Sequence, residues 1–361
     1  MVITTARTDL FPSQLKQDID FIISKYPVWN SLRGRSLFIT GATGFFGKWL
    51  LYTLARANSE LDLNLSVHVL SRDPKLFLEA HPLFSTLKNW VFFKGDIITF
   101  SLPSREGYDF CIHGAASASA KLNSESPIQM FNEILLGTQR CLEEAKKVNV
   151  KRFLFLSSGA VYGKQPESLT HVGENFLGGP NGLVHGSAYA EAKRAAEFLV
   201  NQIGRETGME TIIGRAFAFV GPFLPLDTHF AIGNFILSAL KKEPIQISGD
   251  GTPVRSYLYT SDLVGWILTL LVSGRNQQAY NLGSEKEISI KELAFLVSQI
   301  AKDKFGNTID ITISGIAKPG APKEIYCPST QKIRTELGLK EEITLENAIQ
   351  KTLEWHHQAI A

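Results

Sequence analysis

The stretch Ser36-Leu37-Phe38-Ile39-Thr40-Gly41-Ala42-Thr43-Gly44-Phe45-Phe46-Gly47-Lys48-Trp49-Leu50 decides the fold. Its first five residues form a short apolar run of the kind that makes a buried strand, and the segment from 48 to about 57 has the composition of a helix. Three glycines lie between them. Strand, glycine loop and helix is the order a phosphate cradle needs, because a helix N-terminus offers free N–H groups and the positive end of its dipole. Gly41 permits the tight turn, Gly44 lets the backbone approach a pyrophosphate, and Gly47 lets helix pack on strand. With Thr43, Phe45 and Phe46 from the same loop, they are the expected contacts of a dinucleotide. A second strand at 65–70 follows at the distance of a βαβ unit, which turns a weak three-glycine match into a strong one.

The end of that second strand bears on which dinucleotide binds. An acid there takes the adenosine ribose hydroxyls in many NAD sites, whereas this chain has Ser71-Arg72-Asp73. Ser71 stands in the acid's place and Arg72 can pair with a 2′-phosphate, so NADP is slightly favoured over NAD. The alternative is a solvated Arg72, with Asp73 reaching the ribose. A third strand at 90–93 leads to Asp96 and Ile97, where Asp96 either accepts from the adenine edge or caps a turn. A fourth at 109–113 runs into Gly114-Ala115-Ala116-Ser117-Ala118-Ser119, small residues that let a dinucleotide lie against the backbone; Ala115 and Ala116 are the expected contacts. After a helix at 127–147, the strand at 152–156 ends in Ser157-Ser158-Gly159-Ala160-Val161-Tyr162-Gly163. Ligands sit at the carboxyl ends of strands in open α/β sheets, which puts Ser158 in the crevice, either as a reacting hydroxyl or as a turn cap. Repetition of strand, turn and helix predicts an α/β chain with a doubly wound parallel sheet.

The segment Ser187-Ala188-Tyr189-Ala190-Glu191-Ala192-Lys193, continuing through Arg194 to Val200, reads as a helix that places Tyr189 and Lys193 four apart on one face. An ammonium beside a phenol favours the phenolate, which would make Tyr189 an acid/base for a hydroxyl or carbonyl at neutral pH. Alone, the spacing reads first as that of a half-buried ring beside a solvated charge. The glycine loop and Ser158 are what give it a chemical reading.

At 361 residues the chain exceeds what one core usually organises. The division expected is an N-terminal helical extension over 1–33, a dinucleotide-binding domain over 34–217 plus about 256–284, and a smaller α/β substrate lobe over about 218–255 plus 285–361. In the extension, Leu15, Ile19, Ile22 and Ile23 mark an amphipathic helix ending near Pro27. Beyond Gly221-Pro222 closely spaced Pro and Gly punctuate short elements. A net charge of +2 gives no reason to expect nucleic acid or a membrane surface, and no apolar run reaches a membrane span. The N-terminus lacks a signal-peptide core, so a cytoplasmic location is expected. Cys111, Cys141 and Cys327 are scattered, with no CxxC and no nearby His at ligand spacing, so they read as reduced thiols and no metal is expected.

These residues resemble the extended short-chain dehydrogenases/reductases that modify nucleotide sugars, the epimerase/dehydratase group with its Rossmann-type domain. The resemblance runs over nearly the whole chain. It rests on Thr40 to Gly47, Gly95-Asp96, Ser158 ahead of Val161-Tyr162-Gly163, Tyr189 with Lys193, Gly221-Pro222, Gly249-Asp250-Gly251 through Arg255 to Asp262-Leu263, and Tyr280-Asn281-Leu282-Gly283. It implies Tyr189 as acid/base on a sugar hydroxyl, usually at C4. Lys193 would hold the nicotinamide ribose and lower the tyrosine pKa, while Ser158 bonds the reacting oxygen. Arg255 matches a diphosphate-binding arginine, and Asn234 lies in the region that closes over the nucleotide. The implied partner is a nucleotide-diphosphate sugar, and the implied assembly a homodimer through helices at roughly 125–146 and 187–206.

Several positions depart from the family pattern. The 4,6-dehydratases carry Asp-Glu directly after the catalytic hydroxyl residue, and nucleotide-glucuronate decarboxylases a Glu at the second place; here Gly159 and Ala160 occupy them. Ala218 replaces an asparagine that contacts diphosphate, Ile134 a structural asparagine, and Tyr326-Cys327-Pro328 fills a region that often supplies a phosphate-binding arginine. Lys241, Lys242 or His229 are candidates for neutralising the phosphates. The expectation is therefore a 4-epimerase acting through a transient 4-keto sugar, with an NADPH-dependent 4-ketosugar reductase next. Dehydratase or decarboxylase chemistry would need an acid from elsewhere, such as Glu174 or Glu191. A dinucleotide-binding protein without turnover is the reading of a different class, against which the intact Ser158, Tyr189 and Lys193 argue.

Overall fold

The computed structural model describes residues 10–102, 107–116, 120–228, 230–317, 320 and 323–360. Seven parallel strands form its central sheet: β1 (Ser36–Thr40), β2 (Ser66–Ser71), β3 (Trp90–Lys94), β4 (Phe110–His113), β5 (Arg152–Ser158), β6 (Glu210–Ala216) and β7 (Gln278–Leu282). Their order across the sheet is β7-β6-β5-β4-β1-β2-β3. Chain progression reverses between β1 and β4, and the loops leaving those two strands part there to open a crevice. Alternation along each strand builds two cores. Leu37, Ile39, Val67, Val69, Ile112 and Leu154 enter one layer, and Phe38, Cys111, Phe153, Phe155 and Ile213 enter the other, so both faces are covered, as a parallel sheet requires.

Helices α2 (Phe45–Glu60), α3 (Pro127–Lys147), α4 (Ala188–Thr207) and α6 (Thr260–Ser273) provide the main crossovers. The helix after the glycine loop begins at Phe45, three residues before the propensity pattern places it, because Gly44 adopts an extended N-cap conformation. β5 runs two residues past the apolar run, to Ser158, because Ser157 and Ser158 still pair with Arg215 and Ala216 of β6.

Helix α1 (Ser13–Lys25) buries Leu15, Ile19 and Ile22 against α2 and α6. Polar contacts pin it to later parts of the chain: Tyr26 donates to Asp262 (3.3 Å), Tyr259 donates to Asp18 (2.5 Å), and Lys351 Nζ lies 2.8 Å from Asp18. Beyond β6 the strands shorten. Phe219–Val220 pairs with Leu258–Tyr259, Ile245–Ile247 with Ile311–Ile313, and Val254–Arg255 lies between Ile288–Ser289 and Ile325–Tyr326. Helices α5 (Ala231–Lys241), α7 (Ile290–Phe305) and α8 (Leu345–Ile360) pack among these pieces. Cys111, Cys141 and Cys327 are buried and free. Among the described residues no helix is long and apolar enough to cross a membrane, and no cluster of His, Cys, Asp and Glu could hold a metal ion.

Candidate active site

Gly41 has φ +76°, and a Cβ there would lie 2.5 Å from the carbonyl carbon of Gly114, so the loop after β1 presses directly on the loop after β4. Only glycine satisfies both demands. At Gly44, by contrast, an added Cβ would meet nothing nearer than the Gly41 carbonyl oxygen at 3.3 Å, and no side chain caps the first turn of α2. The N–H groups of that turn are thus available to an anion, and the cradle fits a dinucleotide pyrophosphate. Phe45 and Phe46 flank it half-buried, with Phe46 edge-on to Phe219 at 4.9 Å. The neighbouring wall is stiffened by a chain of hydrogen bonds. Ala115 N–H donates to Thr40 Oγ1, which lies 2.7 Å from His113 Nδ1, and His113 Nε2 lies 3.1 Å from Thr138 Oγ1. Ala116 is exposed beside it, whereas Ser117, Ala118 and Ser119 lie outside the described residues.

At the end of β2, Ser71 is buried and Arg72 is exposed. Arg72 makes no ion pair among the described residues, while Asp73 accepts from Leu76 N–H as the N-cap of Pro74–Ala80. The cap occupies Asp73, which leaves Arg72 as the free polar group there. Asp96 accepts from Ile98 N–H at 2.9 Å and so caps its own turn, and Ile97 packs toward Gly137 of α3.

Ser158 and Tyr189 come together as expected. Tyr189 stands in the first turn of α4, its ring packed with Met130, Ile134 and Ala192, so the isoleucine at the usual asparagine position forms part of the tyrosine's apolar wall. Burial raises the Tyr189 pKa, and its hydrogen bond with Ser158 works in the opposite direction. Ser158 Oγ also accepts from Ala160 N–H at 3.2 Å.

Lys193 is not among the groups that shift the Tyr189 phenol in the structure. Lys193, 2 % exposed, donates to the Leu156 carbonyl at 2.8 Å and sits 4.8 Å over the Phe155 ring. Burial lowers its pKa to about 8, and Glu197, one turn further along α4, opposes that shift. The ammonium is thus drawn to a strand-end carbonyl and to its own helix neighbour.

Behind Ser158 lies a buried polar network that spacing alone did not single out. Ser157 donates to Glu197 (2.6 Å), and Arg215 grips both Glu197 oxygens, Nε to Oε1 at 3.0 Å and Nη2 to Oε2 at 2.7 Å. Arg215 Nη1 donates to the Tyr162 hydroxyl, which donates to Asn281 Oδ1. The Lys193–Glu197 spacing on one helix was the available signal; the partners of Glu197 come from other strands. Glu174 accepts from Asn281 N–H (2.8 Å), and its pKa is raised by burial.

The most informative position is Gly159. A Cβ there would fall 2.6 Å from the Phe217 ring and 2.7 Å from the Tyr326 hydroxyl. Phe217 and Tyr326 pack against each other with tilted rings, centroids 4.7 Å apart, and fill the space into which a side chain at 159 would project. Arg255 borders a cleft of about 600 Å³ that Tyr326 and Glu324 also line, and its Nη2 is ion-paired with Glu324. Asn234, Lys241 and Lys242 are exposed on or beside α5, with Lys242 serving as its left-handed C-cap, and His229 lies outside the described residues.

The family model described as "NAD dependent epimerase/dehydratase family" matches residues 37–283. The chain belongs to that family. As in the NAD dependent epimerase/dehydratase family at large, its cofactor is NAD or NADP. It is 27 % identical to UDP-glucuronic acid decarboxylase 1 of Arabidopsis thaliana over 325 residues, 90 % of this chain and 70 % of that one. In fold it is similar to the UDP-glucose 4-epimerase of Thermotoga maritima solved with UDP-glucose, with TM-score 0.74, 22 % identity, and 90 % of this chain and all of that one covered. RMD from Pseudomonas aeruginosa, solved with NADPH, matches with TM-score 0.71 and 24 % identity over 90 % of this chain and 99 % of that one. Family members therefore include decarboxylases and epimerases, and the choice among reactions rests on the residues beside Ser158.

Proposed function

We propose that the protein is a nucleotide-sugar 4-epimerase acting through a transient 4-keto sugar. The observation that carries this reading is the filled space at Gly159, together with Ala160: the positions that bear acids in dehydratases and decarboxylases have no carboxylate, and Phe217 and Tyr326 occupy the room one would need. Of the two alternative acids, Glu174 is engaged with Asn281 and Glu191 stands half-buried in the first turn of α4, while Glu197 is engaged with Arg215 and Ser157. Ser158 and Tyr189 are a pair of hydroxyls suited to moving one proton on one oxygen.

The nicotinamide, when bound, supplies the acceptor and donor of hydride. Tyr189 takes the proton from the sugar C4 hydroxyl and returns it after the ketone has presented its other face. Ser158 bonds the same oxygen and stabilises the charge that develops there. Lys193, buried one turn along α4 from Tyr189, holds the ribose side of the site. Gly41, Thr43, Gly44, Phe45, Phe46 and Gly47 cradle the pyrophosphate, and Ala115 and Ala116 form the facing wall. Arg255 exchanges Glu324 for the substrate diphosphate, a role suited to a planar, permanently charged fork, and Asn234 closes over the nucleotide. We assign this substrate binding to 218–255 with 285–361, and cofactor binding to 34–217 with 256–284.

Exposed Arg72, with Asp73 used as a cap, favours NADP, and with it a second reading as a 4-ketosugar reductase that exchanges its cofactor. Exposed Ile128, Leu136 and Phe198 on α3 and α4 support a homodimer through those helices. The test is a panel of UDP-, dTDP-, GDP- and CDP-sugars, with and without added NAD or NADP, and products read by NMR. Interconversion of C4 epimers without net redox change is expected. Conversion of a 4-keto sugar at the expense of NADPH would replace this reading by the reductase.

A further inference from the structure

Helix α4, which carries Tyr189, begins without a cap of its own. Ser187 stands at the N-cap position with φ −84° and ψ −9°, a helical rather than an extended backbone, and its side chain makes no capping bond. The first N–H groups of a helix have no partner within it, and the N-cap side chain normally accepts from the second or third of them. Here the acceptor comes from another part of the chain. Tyr189 N–H, the second of α4, donates to Asn123 Oδ1 at 3.1 Å. The other end of the same amide, Asn123 Nδ2, donates to the Gly186 carbonyl at 2.7 Å. One side chain thus clasps both the turn that enters α4, His185–Ser187, and the first turn of the helix itself.

Asn123 lies on the short helix Ala120–Glu125, between the small-residue segment that follows β4 and the start of α3. Its neighbours repeat the attachment. His185 Nε2 lies 2.7 Å from the Ser124 carbonyl oxygen, and Leu122 packs in the same apolar cluster as the Tyr189 ring, with Met130, Ile134 and Ala192. Three consecutive residues therefore address the entry to α4 through a side-chain amide, a backbone carbonyl and an apolar contact. Water could satisfy the Tyr189 N–H at this half-buried helix start, so the bond contributes modestly to stability. Its larger consequence is positional, since it fixes the backbone from which the phenol projects.

We propose that Asn123 is a positioning residue for the acid/base: it caps α4 from outside the helix and so holds the Tyr189 phenol against Met130 and Ile134 at the mouth of the crevice. This rests on the reading of Tyr189 as the group that moves the proton. Proton transfer and hydride transfer at one carbon demand close placement of the reacting groups, so a small displacement of the first turn of α4 is felt in turnover before it is felt in binding.

The test compares Asn123→Ala with Asn123→Asp in the full-length protein saturated with NADP. Aspartate keeps an acceptor for the Tyr189 N–H and suits a helix N-terminus, whereas alanine removes it. In Asn123→Ala, amide hydrogen exchange over residues 185–192 is expected to quicken roughly three- to tenfold, and kcat on UDP-glucose to fall by a similar factor while KM holds. The Tyr189 titration, read as the phenolate absorbance difference from the matching Tyr189→Phe protein, moves down toward the ordinary phenol value as the ring leaves the wall that raises it. Asn123→Asp restores the exchange rate and most of kcat. Unchanged exchange over 185–192, faster exchange with full kcat, quickening spread evenly over the whole chain, or an aspartate no better than alanine each overturns the proposal. Absence of UDP-sugar turnover in every protein counts against the proposed reaction, and the exchange and the Tyr189 titration then decide the role of Asn123: both move if it positions the phenol, and an unchanged titration overturns it.

Discussion

Three hydroxyls lie near the end of β5: Ser158, Tyr189 against Met130 and Ile134, and Tyr326 over Gly159. If Tyr189 carries the proton, Tyr189→Phe lowers turnover by about 10²- to 10⁴-fold while NADP binding, followed by quenching of protein fluorescence, stays within error. A variant that keeps full turnover would remove Tyr189 from the chemistry. Arg72 makes a separate prediction. Being exposed and without an ion-pair partner among the described residues, it should supply a charge-assisted bond to a 2′-phosphate. Arg72→Ala then weakens NADP by roughly tenfold or more and leaves NAD unchanged in parallel titrations. Equal losses for both dinucleotides would assign Arg72 to the loop's structure instead.

Elements were legible in the chain where one periodicity governed them. β1, the glycine loop and α2 followed from local pattern, as did α1, whose buried stripe of Leu15, Ile19 and Ile22 repeats at helical spacing. What local pattern could not show is how the elements are pinned to one another. The Glu197–Arg215 pair joins α4 to β6 with both side chains largely buried, so Glu197→Gln strands a guanidinium and costs about 3–5 kcal/mol in chemical denaturation. A loss well under that would show that Tyr162 and water suffice for Arg215. Asp262, at the start of α6, accepts from the backbone N–H of Glu342 and Ile343 and from Tyr26. Burial raises its pKa to about 6, above the ordinary carboxylate range. The folded protein therefore holds a proton that the unfolded chain releases, so this group's contribution is greatest below pH ~4 and is lost as pH rises through ~6. Asp262→Asn should flatten that part of the stability-against-pH curve, and an unchanged slope would show that Asp262 is ionised throughout.

For the molecule as a whole, the sequence-legible part is the family, the cofactor cradle and the Ser158–Tyr189 pair, because each depends on residues close together or at strand ends. Tyr326 was visible only as a departure in a phosphate-binding region. Its place over Gly159 depends on a strand pairing between 254–255 and 325–326 that no local pattern encodes. Arg255 was legible by motif, but its ion pair with Glu324 was not. Under the proposed 4-epimerase reading the site works by oxidation and reduction at one carbon, since dehydration would require removal of the C5 proton and expulsion of the C6 hydroxyl. The most direct measurement is to incubate the protein with UDP-glucose and cofactor in D₂O and read the product by NMR. The predicted product is the C4 epimer, with no solvent deuterium on any sugar carbon and C6 still bearing its hydroxyl. Deuterium at C5, or loss of the C6 hydroxyl, would contradict the account.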